Sequence, residues 1–125
     1  MTFDFSEFKN KKIIVTGSST GIGFETGVEF LNLGANVIFH GNQSINDLEA
    51  RIKTKSQSKN FKLFKSDFTD LSQVDNFMND AINYLDGLDI LVNNAGTMVG
   101  RYQLDTISEK DFLKIFDLNA KSAYF

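Results

Sequence analysis

Gly17, Gly21 and Gly23 follow directly on the apolar run Ile13-Ile14-Val15, and an amphipathic stretch follows them. Strand, glycine turn and helix in that order leave backbone N–H groups facing a phosphate at the positive end of a helix dipole. Gly17 would turn the chain sharply with positive φ. Gly21 would let a pyrophosphate approach the backbone, and Gly23 would let the helix lie close on its strand. Ser18, Ser19, Thr20 and Ile22 fill the loop between them. The same run also reads as an ordinary glycine-rich turn.

Other residues with chemical capacity stand at the ends of later apolar runs. Asp67 ends the third run, Asn93-Asn94-Ala95-Gly96 ends the fourth, and Asn119 lies inside the last helical pattern. Each has a plainer reading. Asp67 also fits a solvated strand-end carboxylate, and Asn93 and Asn94 fit turn residues with Gly96 as the turn glycine. Asn119 is a poor helix-interior residue among Phe116, Leu118 and Ala123, so it either faces the surface or is held by a specific network. His40, the one histidine, stands at the end of the second run, a position that fits chance better than a general base. Without cysteine there is no disulfide, thiolate metal site or thiolate nucleophile, and no metal site is expected.

The elements that position these residues alternate. Strands are expected at Lys12–Thr16, Ala35–His40, Phe61–Ser66 and Leu88–Val92. The first helix spans about Ile22–Leu33, with Phe24, Val28 and Leu31 on one face and Gly34 just past its end. Ile45, Leu48 and Ile52 mark one stripe of a second helix. Asp70 with Gln73 resembles a capping box ahead of Leu71, Val74, Phe77, Met78, Ala81, Ile82 and Leu85. Ser108-x-x-Asp111 opens the last helix, with Phe112, Ile115, Phe116 and Ala123 toward one side. The fourth strand is nearly all apolar, as for a parallel strand covered on both faces. Connections too long for hairpins imply a parallel sheet with right-handed crossovers. The expected fold is α/β, a Rossmann-type doubly wound sheet in strand order 3-2-1-4 with helices on both faces and ligands beyond the strands' carboxyl ends.

At 125 residues the chain forms one domain, 1–125. The net charge of −3 gives no basic footprint, so nucleic acid is not an expected partner. Met1–Asn10 lacks the apolar core of a secretory signal, and no stretch reaches the roughly 20 apolar residues of a membrane span. A cytoplasmic protein that does not associate with membranes is expected. The final residues, 120–125, remain helical in pattern and the fourth strand is left as an apolar edge. That is the look of a fold truncated at its C-terminus.

Taken together, Thr16-Gly17-x-x-x-Gly21-x-Gly23, Asp67, Asn93-Asn94-Ala95-Gly96 and Asp117-Leu118-Asn119 resemble the standard branch of the short-chain dehydrogenase/reductase family. The general appearance is similar to its 3-oxoacyl-carrier-protein reductase-like set, and the resemblance runs from about Lys9 to Phe125. It implies an oxidoreductase that transfers hydride between NAD(H) or NADP(H) and a small-molecule alcohol or carbonyl. By resemblance, Gly17, Ser18, Gly21, Ile22 and Gly23 line the pyrophosphate and nearby ribose. Asp67 accepts a hydrogen bond from the adenine amino group beside the backbone of Phe68. Asn93 braces the central sheet, Ala95 and Gly96 pass close to the cofactor ribose, and Asn119 is the active-site Asn that holds a water in a proton relay. A homo-oligomer is implied for the intact protein.

The resemblance also implies a catalytic Ser and a Tyr-x-x-x-Lys pair, which this chain lacks: Tyr84 is followed four residues later by Leu88 and Tyr102 by Thr106. The chain is therefore read as the N-terminal, cofactor-binding half of an enzyme, inactive alone. The alternative is a non-catalytic dinucleotide-binding or regulatory module. A methyltransferase-like nucleotide binder would want an acidic residue after the second strand, where Gly41 and Asn42 stand. The same missing carboxylate leans the cofactor toward NADP(H) over NAD(H), because a carboxylate there would hold the ribose 2′-OH and repel a 2′-phosphate. His40, Ser19 and Thr20 are the groups expected to hydrogen-bond that phosphate, with Asn42 beside them.

Overall fold

The computed structural model describes residues 1–43 and 45–125. Four strands, β1 (Lys12–Val15), β2 (Asn36–Gly41), β3 (Phe61–Lys65) and β4 (Ile90–Val92), form one parallel sheet in the order β3-β2-β1-β4. The register aligns Ile14 with Ile38 on one side and with Leu91 on the other. Helices α1 (Gly21–Asn32), α2 (Leu48–Lys55) and α3 (Leu71–Leu85) form the crossovers, and α4 (Glu109–Phe116) follows β4.

Period-two alternation divides the apolar residues between the two faces. Ile13, Val15, Val37 and Phe39 pack with Phe24, Val28 and Leu31 of α1 and with Leu48 and Ile52 of α2. Ile14 and Ile38 point the other way, onto Phe68, Val74, Phe77, Ala81, Leu85 and Leu118. The expected doubly wound sheet is thus observed, with the loops after β1, β2, β3 and β4 gathered at one end.

The boundaries shift for identifiable reasons. The helix expected from Ile45 begins only at Leu48; the Leu48 N–H bonds the Ile45 carbonyl at 3.1 Å, and Ile45 packs beside Gly41 instead. Asp70 caps α3 by accepting the Ser72 N–H at 2.9 Å, but the capping box does not close on Asp70. Gln73 reaches one turn further back and accepts the Asp67 N–H at 2.8 Å. Strand β4 is shorter than expected, with Leu91 exposed and Ile90 and Val92 half-buried, so its two faces are only partly covered.

The last helix differs most. Ser108 caps it through the Asp111 N–H, as its spacing predicts. Phe112 and Phe116 stack on each other but stay exposed, together with Leu113. What this segment buries is Leu118 and Ser122, on and just after a widened π-helical turn, Asp117–Lys121, that contains Asn119. Single π turns inside helices gather at functional positions.

Candidate functional site

The loops at the carboxyl ends of the strands enclose a cleft of about 460 Å³. Gly17, Ser19, Thr20 and Ile22 line it from the first loop, His40 to Gln43 from the second, Phe68 from the third, and Asn94 to Thr97 with Leu118 from the far side. A larger hollow of 530 Å³ at the outer edge of β3 is walled by Lys53, Lys59, Lys62 and Tyr84. It lies away from the glycine loop and gathers none of the candidate residues.

The glycine loop fits an anion. Helices α3 and α4 have side-chain caps, from Asp70 and Ser108. Thr20, at the start of α1, makes no such bond, and the first turn of α1 carries no acidic residue. The first N–H groups of a helix have no intrahelical acceptor, so those of α1 are left for a bound group. Gly21 has φ +60°, and a Cβ there would meet nothing within 4 Å, so the space above it is open. Gly17 is closed in: at φ +62°, a Cβ would lie 2.7 Å from the Ala95 Cα. Gly23 does allow a close approach, but to the turn and Asn94 rather than to the strand; its Cβ would sit 2.3 Å from Asn94 Nδ2 and 2.6 Å from the Gly17 carbonyl.

Two loop residues have other duties than those expected. Ser18 is fully buried, its hydroxyl donating to the Val15 carbonyl at 2.6 Å and accepting the His40 N–H at 2.8 Å. That hydroxyl ties β1 to β2 and is not free to bind a phosphate. His40 is buried as well, stacked on Phe68 at 4.0 Å. Its Nδ1 accepts the Gly17 N–H at 3.0 Å, which requires the proton on Nε2, and Nε2–H donates to the Ser66 carbonyl at 3.0 Å. Both ring nitrogens are spent within the protein, so the expectation that His40 hydrogen-bonds a phosphate is corrected. Burial pushes its pKa below the ordinary 6.5, opposed by the bond to Ser66. The folded ring thus stays neutral below 6.5, where an unfolded one is charged. Its contribution to stability is full above 6.5 and is lost as pH falls toward the lowered folded value.

At the end of β3, Asp67 is half-buried, and its Oδ1 accepts both the N–H and the hydroxyl of Thr69, at 3.0 and 2.8 Å. The second oxygen retains its acceptor capacity beside the buried Phe68.

Beyond β4 the two asparagines exchange roles. Asn93 is exposed, and its side chain has no hydrogen bond among the described residues. Asn94 is the brace: Nδ2 donates to the Thr16 and Gly17 carbonyls at 3.1 and 3.0 Å. Thr16 completes the clasp, its Oγ1 accepting the Asn94 and Ala95 N–H groups at 3.0 Å each. The strand period holds the clue, since Asn94 continues the parity of Ile90 and Val92, which pack on the α1 face. Ala95 and Gly96 line the cleft wall.

Asn119 is exposed and at the same time held by a network, so its two expected alternatives occur together. Its Oδ1 accepts the Thr97 N–H at 2.7 Å and its Nδ2 donates to the Thr97 carbonyl at 2.8 Å. Arg51 was not anticipated. It reaches from α2 to donate to the Ser19 carbonyl at 2.8 Å, with Nε on Asp47 at 3.0 Å and the guanidinium 5.1 Å from the Phe24 ring centre. Only the Asp47–Arg51 spacing of four residues was visible in the chain; its reach to the glycine loop was not. Ser19 in turn lies over Gly41, where a Cβ would fall 2.8 Å from the Ser19 Cβ. Gln43 and Thr97 also line the cleft without a prior sequence signal, and Leu118 lines it from the Asp117-Leu118-Asn119 motif.

The family model for short chain dehydrogenases matches residues 11–125. A short-chain dehydrogenase/reductase of Cryptosporiopsis sp. (strain 8999) is 32% identical over 119 residues, covering 92% of this chain and 44% of that protein. A hydroxynaphthalene reductase-like protein of Metarhizium guizhouense is 30% identical over 119 residues, covering 92% and 43%. The chain thus spans less than half the length of these relatives. Among solved structures, an NADH-dependent reductase complexed with NAD superposes with TM-score 0.86 at 30% identity, over 97% of this chain and 51% of that one. A short chain dehydrogenase from Burkholderia cenocepacia, in complex with NADP, gives 0.82 at 26% identity, over 94% and 48%.

Proposed function

The chain belongs to the short-chain dehydrogenase family, and on that premise we propose that it forms the dinucleotide-binding part of an NAD(P)-dependent oxidoreductase acting on a small alcohol or carbonyl. The observation that carries this reading is the glycine loop. The N-terminus of α1 has neither a side-chain cap nor a carboxylate, and it opens into a cleft walled by Ala95 and Gly96. The amides of Gly21, Ile22 and Gly23 would hold the pyrophosphate, the free Asp67 oxygen the adenine amino group, and Ala95 and Gly96 the ribose. The bound nicotinamide supplies or accepts the hydride. Asn119 positions Thr97 at the cleft and keeps one lone pair and one N–H for a water. Asn93, exposed and unbonded, lies furthest from any cofactor role.

The cofactor in this reading is NADP(H) in preference to NAD(H). Gly41 carries no carboxylate, Ser19 leaves little room for one, and Arg51 brings a cation to the back of Ser19. Ser19, Thr20 and Asn42 are the groups left to contact a 2′-phosphate. Turnover would require a Ser and a Tyr-x-x-x-Lys pair, so the 125-residue chain alone is assigned weak binding at most and no carbonyl reduction. The exposed, stacked Phe112 and Phe116 of α4 support association of identical subunits. Among the described residues no helix is long and apolar enough to cross a membrane, and a cytoplasmic location completes the proposal.

Binding by calorimetry tests it, using NADP⁺ and NAD⁺ on wild type and Arg51→Ala. The expected result is tighter NADP⁺ binding in wild type and a loss of about fivefold or more in that preference in Arg51→Ala, with NAD⁺ affinity unchanged. Equal affinities in wild type would refute the NADP(H) preference, and no binding of either would refute the dinucleotide site.

A further inference from the structure

His40 joins three parts of the cleft, the glycine turn, the end of β3 and α3. Its backbone N–H is held by Ser18 and its carbonyl accepts the Ser18 N–H at 2.8 Å. Its ring spans from the Gly17 amide to the Ser66 carbonyl, the residue before Asp67. The flat face of the ring lies on Phe68, which lines the cleft, with Phe77 of α3 at 4.9 Å. A backbone amide can only donate and a carbonyl can only accept. The ring therefore serves both only as the neutral Nε2–H tautomer.

We propose that His40 is a positioning residue for the cofactor site: as the Nε2–H tautomer it takes the Gly17 amide out of phosphate binding and fixes the turn that aims the following amides. The proposal rests on the dinucleotide reading above. Gly17 then contributes its conformation and its closeness to Ala95, while Gly21 to Gly23 contribute the donors. A second proton on the ring would leave Nδ1–H facing the Gly17 N–H, donor against donor, and would push the turn away from β2. The groups facing the ring carry no charge: Gly17 and Ser18 from the glycine turn, Ser66 and Phe68 from the end of β3, and Phe77 from α3. The adjoining Asp67 has one oxygen on Thr69, and Arg51 is turned to Ser19 and Asp47. No charged group contributes to the lowered pKa of the ring.

Side-chain geometry gives a discriminating pair of variants. The amide oxygen of His40→Asn stands near the Nδ1 position and can still accept the Gly17 N–H. The amide nitrogen of His40→Gln stands near Nε2 and can serve only Ser66. NADP⁺ binding is measured by calorimetry between pH 7.5 and 5 on wild type and both variants. At pH 7.5, His40→Asn should bind within about threefold of wild type and His40→Gln about tenfold or more weakly. Wild type should keep its affinity relative to His40→Asn at 6.5 and lose it only as pH falls through the lowered value of the folded ring, since His40→Asn sees the same phosphate titration of the ligand but has no imidazole. Because the chain has one histidine, ¹⁵N-histidine labelling gives a single ring whose Nε2–H tautomer and coupling to the Gly17 amide are read directly by NMR, without cofactor. Equal binding by the two variants, or an Nδ1–H tautomer, would overturn the proposal. Absence of NADP⁺ binding in wild type, with the expected ring spectrum, would instead overturn the dinucleotide reading and with it the role assigned to His40.

Discussion

Asn94→Asp replaces one –NH₂ by an oxygen and leaves the shape of the side chain alone. In the native protein that –NH₂ faces two acceptors, the carbonyls of Thr16 and Gly17, at 3.1 and 3.0 Å. Losing two hydrogen bonds at about 1 kcal/mol each costs about 2 kcal/mol, and setting a half-buried carboxylate against two carbonyl oxygens adds about 1–2 kcal/mol. The expected loss is therefore about 3–4 kcal/mol, which most domains of this size survive in the folded state. With a urea dependence near 2 kcal/mol per M, the midpoint should fall by about 1.5–2 M. Asn93→Asp, one residue away and exposed, should change stability by less than about 0.5 kcal/mol. Asn94→Ala should lie between, at about 2 kcal/mol, because it removes the bonds without the opposing charge. Acid should restore part of the Asn94→Asp loss, since a protonated carboxyl can donate one hydrogen. Urea titrations monitored by circular dichroism at pH 7.5 and pH 4 decide the matter. Equal midpoints for the Asn93 and Asn94 variants would refute the assignment of the brace.

Two further substitutions test other parts of the cleft. Gly41→Ala puts a Cβ 2.8 Å from the Ser19 Cβ, with Ser19 itself held by Arg51. The overpacking should cost about 1–3 kcal/mol of stability, and Gly41→Asp should additionally weaken NADP⁺ relative to NAD⁺ by about tenfold; an unchanged NADP⁺/NAD⁺ ratio in calorimetry contradicts this. Asn119→Ala releases the backbone of Thr97 at a cost of about 1 kcal/mol. Amide hydrogen exchange should then show loss of protection at Thr97 with the sheet amides unaffected, whereas uniform loss would mean that Asn119 serves the whole fold.

Much of this architecture was legible because it depends on local periods. The alternation in Ile13-Ile14-Val15 and Val37-Ile38-Phe39 separates these residues into two faces, which the structure covers with α1 on one side and α3 on the other. The strand–glycine–helix order gives both the parallel sheet and the place of the cleft, since a helix dipole and its free amides follow from chain order alone. The helix starts at Asp70 and Ser108 were legible for the same reason: a cap acts within one turn.

What sequence could not assign were the partners of individual polar groups. Asn93 and Asn94 are chemically identical, and only the direction each takes off β4 makes one a brace and leaves the other in solvent. Ser18 and Ser19 are likewise adjacent and alike, yet one hydroxyl closes β1 onto β2 while the other residue faces the cleft. His40 and Arg51 meet the glycine loop from 23 and 32 residues away. Such contacts are set by the packing of separate elements, which no spacing along the chain encodes. The sequence by itself determined the sheet, its order and the presence of an anion-ready loop, because these arise from periodicity and backbone geometry. Tertiary structure decided which donors that loop keeps for a ligand, because a buried polar group must find its partner wherever folding places one.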